Sequence, residues 1–401
     1  MAYKINLNPE VIECFRDQVN KRPWLFYRGE SKLEWNTICA CMDRIEDIIE
    51  YLNAKELNDG TWRSCAFDFI EFMAQSAVMI DAITTLTRII DTENKTVRSH
   101  NQIFKHKHIN HNICNKSKKH EDDRYFEYIR SISAIHPLGT DRHQQFQHFS
   151  EEVSPFVVWS NGLREGDISL HIYDKMGSSS TRSLQLYIEE IFNYIKWKYY
   201  NLPSLARLIP EIENQVVMKY RQEIIPAQNN YPSYLYYLEV LAHEAEKRTE
   251  YISEYINTAA YLIDTPITNP SNQQNYDRFN SVLKLAIEDT RQHLQHMDMG
   301  IMDSCELPLC RLQHLDIRNE GGMNYHYALS KIHYFVTPGG DREFARTQVE
   351  YMLKFLDHYI DITEDDCYIL SSRELYTLVH LALYLHEIQQ LDCSLGRKYI
   401  I

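Results

Sequence analysis

The chain has 401 residues, of which 44% are apolar and 24% charged, and a formal net charge of −14. These totals exclude a disordered chain and argue against general coating of nucleic acid. Nine cysteines, odd in number and never spaced as Cys-x-x-Cys, argue for free thiols in a reducing cytoplasm rather than a disulfide framework or a zinc knuckle.

Only 12 Gly and 12 Pro leave few tight turns, which favours long helices. The opening MAYKINLNPEVIECF lacks the apolar core of a signal peptide, and no run approaches 18 uncharged apolar residues, so no membrane span is expected. Two amphipathic helices are predicted over 36–53 and 63–91. In the second, Phe67, Ile70, Ala74, Ala77, Ile80 and Ile83 recur at threes and fours. Residues 97–120 follow as a polar loop with six Lys/Arg, five His and no acid, so the rest of the chain carries about −20. Such a loop either guides an anion or is simply a solvated segment.

Glu121, Asp122 and Asp123 open a helix predicted to run to about residue 135, with acids suited to its first turn. Pro137 disfavours helical dihedrals at His136 and ends it. SPFVVW (154–159) and DISLHIY (167–173) read as a β-hairpin, and a helix is predicted from about 181 to 200. Beyond it, 233–264 reads as one long helix closed by the loop DTPITNPSNQQN, and 276–298 and 341–360 as two more, with Asp341 as the cap of the last. Ser371 with Glu374 forms a capping-box pattern for a helix over 372–391. The expected fold is mainly α: a helical domain over 1–200 with a small hairpin near 154–173, then a helical domain over 201–401.

No P-loop and no Gly-rich dinucleotide turn is present, so no nucleotide cofactor is expected. His243-Glu244 and His386-Glu387 each lack the second histidine of a zinc-protease motif. His106, His108, His111 and Cys114 have ligand chemistry for a metal but lie in a Lys-rich loop without acids, and no metal is expected there.

Arg130 and His136, with five residues between them, offer a different chemistry. Cutting RNA without a metal needs a base for the 2′-hydroxyl, an acid for the leaving 5′-oxygen and a cation for the phosphorane. Histidine titrates near neutrality, and arginine forks onto phosphate oxygens. The spacing recurs at Arg142–His148, Arg164–His171, Arg291–His296 and Arg373–His380, so context must separate the five. On a helical wheel Phe126, Ile129, Ile132 and Ser133 form an apolar stripe, with Arg130 at its edge and His136 at its end. Asp123 lies on nearly the same side and can orient Arg130. The alternative is structural: Glu127 forms a surface ion pair with Arg130, and His136 caps the helix carbonyls.

An Arg, four to six residues and a His near a helix end resembles the HEPN superfamily, over roughly residues 36–145. The residue after the Arg is Ser131, where family members often have Asn, Asp or His. The resemblance implies an all-helical, commonly dimeric, metal-independent endoribonuclease of a bacterial toxin–antitoxin or anti-phage defence system. Arg130 would then stabilise the phosphorane and His136 move protons. Lys105, Lys107, Lys116, Lys118, Lys119 and Arg142 would hold the RNA, with single-stranded loops the expected target. Arg318-Asn319 with His326 is a looser second copy of the pattern, or a loop. The rival reading, from the acidic, tyrosine-rich second half, is a non-catalytic helical module that binds an antitoxin or a phage component.

Overall fold

The computed structural model describes residues 2–27, 32–58, 62–96, 103–106, 121–135, 137–139, 145–159, 166–177, 181–249, 252–302, 306–313, 325–390 and 399. The fold is mainly α, as expected. The chain divides into two compact units, residues 1–26 with 31–213, and residues 27–30 with 214–401.

In the first unit the helices are α1 (Glu10–Asn20), α2 (Lys32–Ala54), α3 (Trp62–Ile90), α4 (Glu121–Arg130) and α5 (Ile188–Tyr199), and α6 begins at Leu202. A two-stranded ribbon pairs β1 (Ala2–Tyr3) with β2 (Leu57–Asn58). The centre is α3, which packs against α2, α5 and the first strand of a small antiparallel sheet. Its buried face is Phe69, Phe72, Met73, Ala77, Ile80, Ile83, Leu86 and Ile90. The stripe expected from periodicity was right from Ala77 onward, but Phe67 is 70% exposed and Phe69 takes the core position instead. By length and composition, Ser64–Ile90 of α3 is apolar enough to cross a membrane, contrary to expectation. Just over half of its apolar window (56%) is buried inside this unit, where it serves as core.

The small sheet is β3 (Glu152–Trp159), β4 (Ile168–Asp174) and β5 (Thr181–Leu186) in sequential order, not a two-stranded hairpin. The region from 181, expected to be helical, starts as β5 because Leu184 and Leu186 alternate into the core while Arg182, Ser183 and Gln185 face outward or sideways. Helix α5 then starts at Ile188, whose N–H donates to Asp167. The helix expected over 121–135 is α-helical only to Arg130. Ser131–Ile135 forms a π turn, in which Ser133 Oγ donates to the carbonyl of Ile129.

In the second unit the helices of seven residues or more are the rest of α6 (Leu202–Gln222), α7 (Tyr234–Arg248), α8 (Ile252–Leu262), α9 (Pro270–His296), α10 (His326–Ile332), α11 (Arg342–Leu356) and α12 (Ser372–Gln390). The single helix expected over 233–264 is two helices packed on each other, because the chain is extended at Thr249. Helix α9 starts earlier than expected, inside the stretch read as a loop. Asn269 caps it by accepting from the Ser271 N–H, and Pro270 occupies its first position, where a missing N–H costs nothing. Asp341 caps α11 through the Phe344 N–H. Ser371 caps α12 through the Glu374 N–H, but Glu374 does not close a capping box; it accepts from the backbone and hydroxyl of Thr268.

Candidate functional site

Of the four Arg–His spacings other than Arg130–His136, two have their arginine engaged in structural contacts and two are described only at the histidine. Arg373 donates to the carbonyls of Ala260, Tyr261 and Ile263 at the C-terminal end of α8, and His380 is buried beside the carbonyl of Tyr376. Arg291 pairs with Glu288 at 2.5 Å and donates to the carbonyl of Ile225, so it is not the solvated residue expected from its polar surroundings. His171 sits on β4 facing Ser183 on β5, and Arg164 lies outside the described residues, as does Arg142. His148 spends its backbone N–H on the buried Glu152, which also accepts from the Tyr128 hydroxyl. The looser motif is undescribed at Arg318 and Asn319; His326 begins α10.

Arg130 closes α4 where the π turn begins. Its Nη1 lies 3.1 Å from Asp81 Oδ2 on the exposed face of α3, with side-chain exposures of 29% and 70%. Its Nε is buried and has no hydrogen-bond partner among the described residues. The expected surface pair with Glu127 is thus made by Asp81 instead. The orienting role expected of Asp123 also fails. That carboxylate accepts from the Tyr194 hydroxyl and from Lys198 Nζ, each at 2.7 Å, on α5. Neither Asp81 nor Lys198 was found from the sequence, and no local signal marks them, since each meets its partner only through packing of α3 and α5 against α4.

Positions 123, 127 and 130 share one face of α4, at helical spacings of four and three. Glu127 as a residue is exposed, yet protein packed around its carboxyl raises its pKa. Arg130 opposes that rise, Asp123 and Asp81 add to it, and Lys198 weakly opposes it. The five charges therefore form one interacting set. Burial also raises the Tyr194 hydroxyl far above its ordinary range, with Asp123 reinforcing the shift, so it stays a hydrogen-bond donor.

Beside this set lies a cleft of about 540 Å³, lined among others by Thr84, Arg88, Asp91, Asp123, Trp197 and Lys198. Asp81, Thr84 and Arg88 follow one another at helical spacing along α3, so the cleft continues the ridge that carries the Arg130 contact. Its far wall is the turn after α3. There Asp91 accepts from the N–H groups of Lys95 and Thr96 and the Thr96 hydroxyl. Burial works against the Asp91 carboxylate, but these hydrogen bonds outweigh it and hold its pKa below the ordinary value.

The loop residues expected to hold RNA divide unevenly. Lys105 is exposed, and its backbone N–H donates to Glu190 on α5. His106 stacks on Tyr187 with ring centres 3.9 Å apart, its Nδ1 2.6 Å from Glu190. Asp122, fully buried, accepts from the Ile103 N–H and ties the same segment to α4. His136, Lys107, Lys116, Lys118 and Lys119 lie outside the described residues. Among the described residues no group of three His, Cys, Asp or Glu is placed to hold a metal ion. Compared with models of known families, with curated proteins and with solved structures, the chain matches none.

Proposed function

We propose that this chain is a metal-independent endoribonuclease of the HEPN type, with Arg130 as its phosphate-binding cation and His136 as its proton-transfer residue. The observation that carries this reading is the state of Arg130: its charge is held by one exposed carboxylate, and its Nε is buried with no hydrogen-bond partner among the described residues. An exposed ion pair contributes at most about 1 kcal/mol. A phosphate that accepts a forked pair of charge-assisted hydrogen bonds replaces Asp81 at small cost.

In the reaction, His136 takes the proton of the 2′-hydroxyl as the 2′-oxygen forms a bond to phosphorus. Arg130 neutralises the equatorial oxygens of the phosphorane. The bond to the 5′-oxygen then breaks, that oxygen leaves with a proton, and a 2′,3′-cyclic phosphate remains. A homodimer would bring two such pairs to one cleft, supplying the second proton-transfer group. The resemblance to the HEPN superfamily implies a role in toxin–antitoxin or anti-phage defence. The test is incubation of the protein with single-stranded RNA in excess EDTA. Fragments with 2′,3′-cyclic phosphate ends, reduced at least a hundredfold in Arg130→Ala, are expected; equal cleavage by the variant refutes the assignment.

The Arg130–Asp81 pair itself favours a second reading, a binding module in which Arg130 only joins α4 to α3. Under that reading neither Arg130→Ala nor His136→Ala changes any activity on RNA.

A further inference from the structure

The cleft lined by Asp123 and Lys198 holds a cation that the Arg130 reading does not use. Arg88 is exposed, lies on the last turn of α3, and makes no hydrogen bond or ion pair among the described residues. The other cation, Lys198, is held at 2.7 Å by Asp123 and lies 4.9 Å from the centre of the Trp197 ring. Asp91, whose charge would offset that of Arg88, is turned inward: its carboxylate oxygens are taken by the turn at 95–96. What the cleft presents is therefore a free guanidinium, the aromatic rings of Trp197 and Tyr200, and neutral donors and acceptors from Asn94, Asn201 and Ser204.

A guanidinium, a ring surface and neutral amides together match one chemistry. Phosphate takes the fork of an arginine, a nucleobase lies against an aromatic face, and amide and hydroxyl groups read the edge of the base. A volume of about 540 Å³ falls within the range of small-ligand sites and has room for one nucleotide. A lipid acyl chain or a sterol would leave the polar lining unpaired, which is costly.

We propose that this cleft binds one nucleotide of single-stranded RNA, its phosphate on Arg88 and its base against Trp197. The inference rests on the ribonuclease reading for the source of the nucleotide: Asp123, which lines the cleft, shares one face of α4 with Arg130. Thr84 and Arg88, one turn apart on α3, then lie along the path that the RNA backbone follows.

The test uses binding, not cleavage. The full chain is titrated with a five-nucleotide RNA whose 2′-oxygens are methylated, so that it cannot be cut, and separately with AMP, GMP, CMP and UMP, with tryptophan emission as the readout. Saturable quenching by the oligonucleotide is expected, with affinity at least tenfold lower in Arg88→Glu and unchanged circular dichroism. Trp197→Phe is expected to abolish the quench while an independent binding measurement still shows saturation. Unchanged affinity in Arg88→Glu, or no saturable binding of any of these compounds, overturns the site. Mononucleotides binding as tightly as the oligonucleotide overturn RNA as the source. The two readings fail separately: cleavage lost in Arg130→Ala with binding unaffected by Arg88→Glu sinks only the cleft, and binding without any cleavage sinks only the ribonuclease.

Discussion

Arg130 Nη1 and Asp81 Oδ2 lie 3.1 Å apart, joining the end of α4 to the exposed face of α3 across 49 positions of sequence. Asp81 is 70% exposed, so this pair is a loose clamp and not a structural strut. Asp81→Asn is expected to change stability by less than about 1 kcal/mol in urea denaturation. It should also speed RNA cleavage severalfold, since the guanidinium no longer has to leave a carboxylate. Slower cleavage in this variant would show that Asp81 holds Arg130 in place instead of competing for it.

If Arg130 contacts a phosphate, its removal has a signature in salt. Each phosphate contact releases about one counterion, so the logarithm of RNA affinity falls with that of salt concentration at a slope set by the contacts made. Arg130→Ala is expected to lower that slope by about one, uniformly across RNA sequences. An unchanged slope would place Arg130 away from the backbone.

A third expectation concerns the second unit, where Arg248 is fully buried. Its guanidinium donates to the carbonyls of Tyr220 and Glu223 at 2.7 and 2.8 Å, and pairs with Glu244 at 3.1 Å. It closes the open end of α6 and at the same time fixes the end of α7. Arg248→Ala leaves those carbonyls without their donor and Glu244 with Lys247 alone, at a cost of roughly 3–5 kcal/mol. Arg16→Ala, which breaks exposed contacts to Asp43 and Glu46, is expected to cost under about 1 kcal/mol. Similar urea midpoints for the two variants would contradict this contrast.

His380 makes stability depend on pH. Burial is the main cause that pushes its pKa down to about 4, with the charge of His333 acting the same way and the Tyr376 carbonyl opposing. The unfolded chain binds this proton more readily than the folded one, so stability falls as pH drops below about 6.5 and levels off near 4. The gap corresponds to about 3 kcal/mol. His380→Phe is expected to flatten that part of the stability–pH curve; a variant with the same slope as wild type would assign the effect elsewhere.

The helical class and many of the helices were legible in the sequence, because α2, α3, α11 and α12 carry either strong periodicity or explicit caps. What escaped was set by context. Residues 181–186 are too short and too polar to read as a strand until β4 offers its edge. Residues 270–275, NQQ-rich and flanked by proline, read as a loop although Asn269 and Pro270 are a cap and a first helical residue. At the candidate site, Arg130, Asp123 and Glu127 do share a helix face, but the partners differ from those expected. Asp81 and Lys198 enter from α3 and α5, and no spacing within α4 reveals them. Arg88 was equally hidden, since an arginine near a helix end is ordinary until the cleft around it is seen.

The most direct measurement is single-turnover cleavage of a single-stranded oligoribonucleotide in excess EDTA by the wild-type protein and by His136→Ala. The proposed mechanism requires wild type to produce fragments ending in 2′,3′-cyclic phosphate, at a rate that His136→Ala lowers at least a hundredfold while still binding the RNA. Cleavage of equal rate by both proteins, or none by wild type over hours, would contradict it.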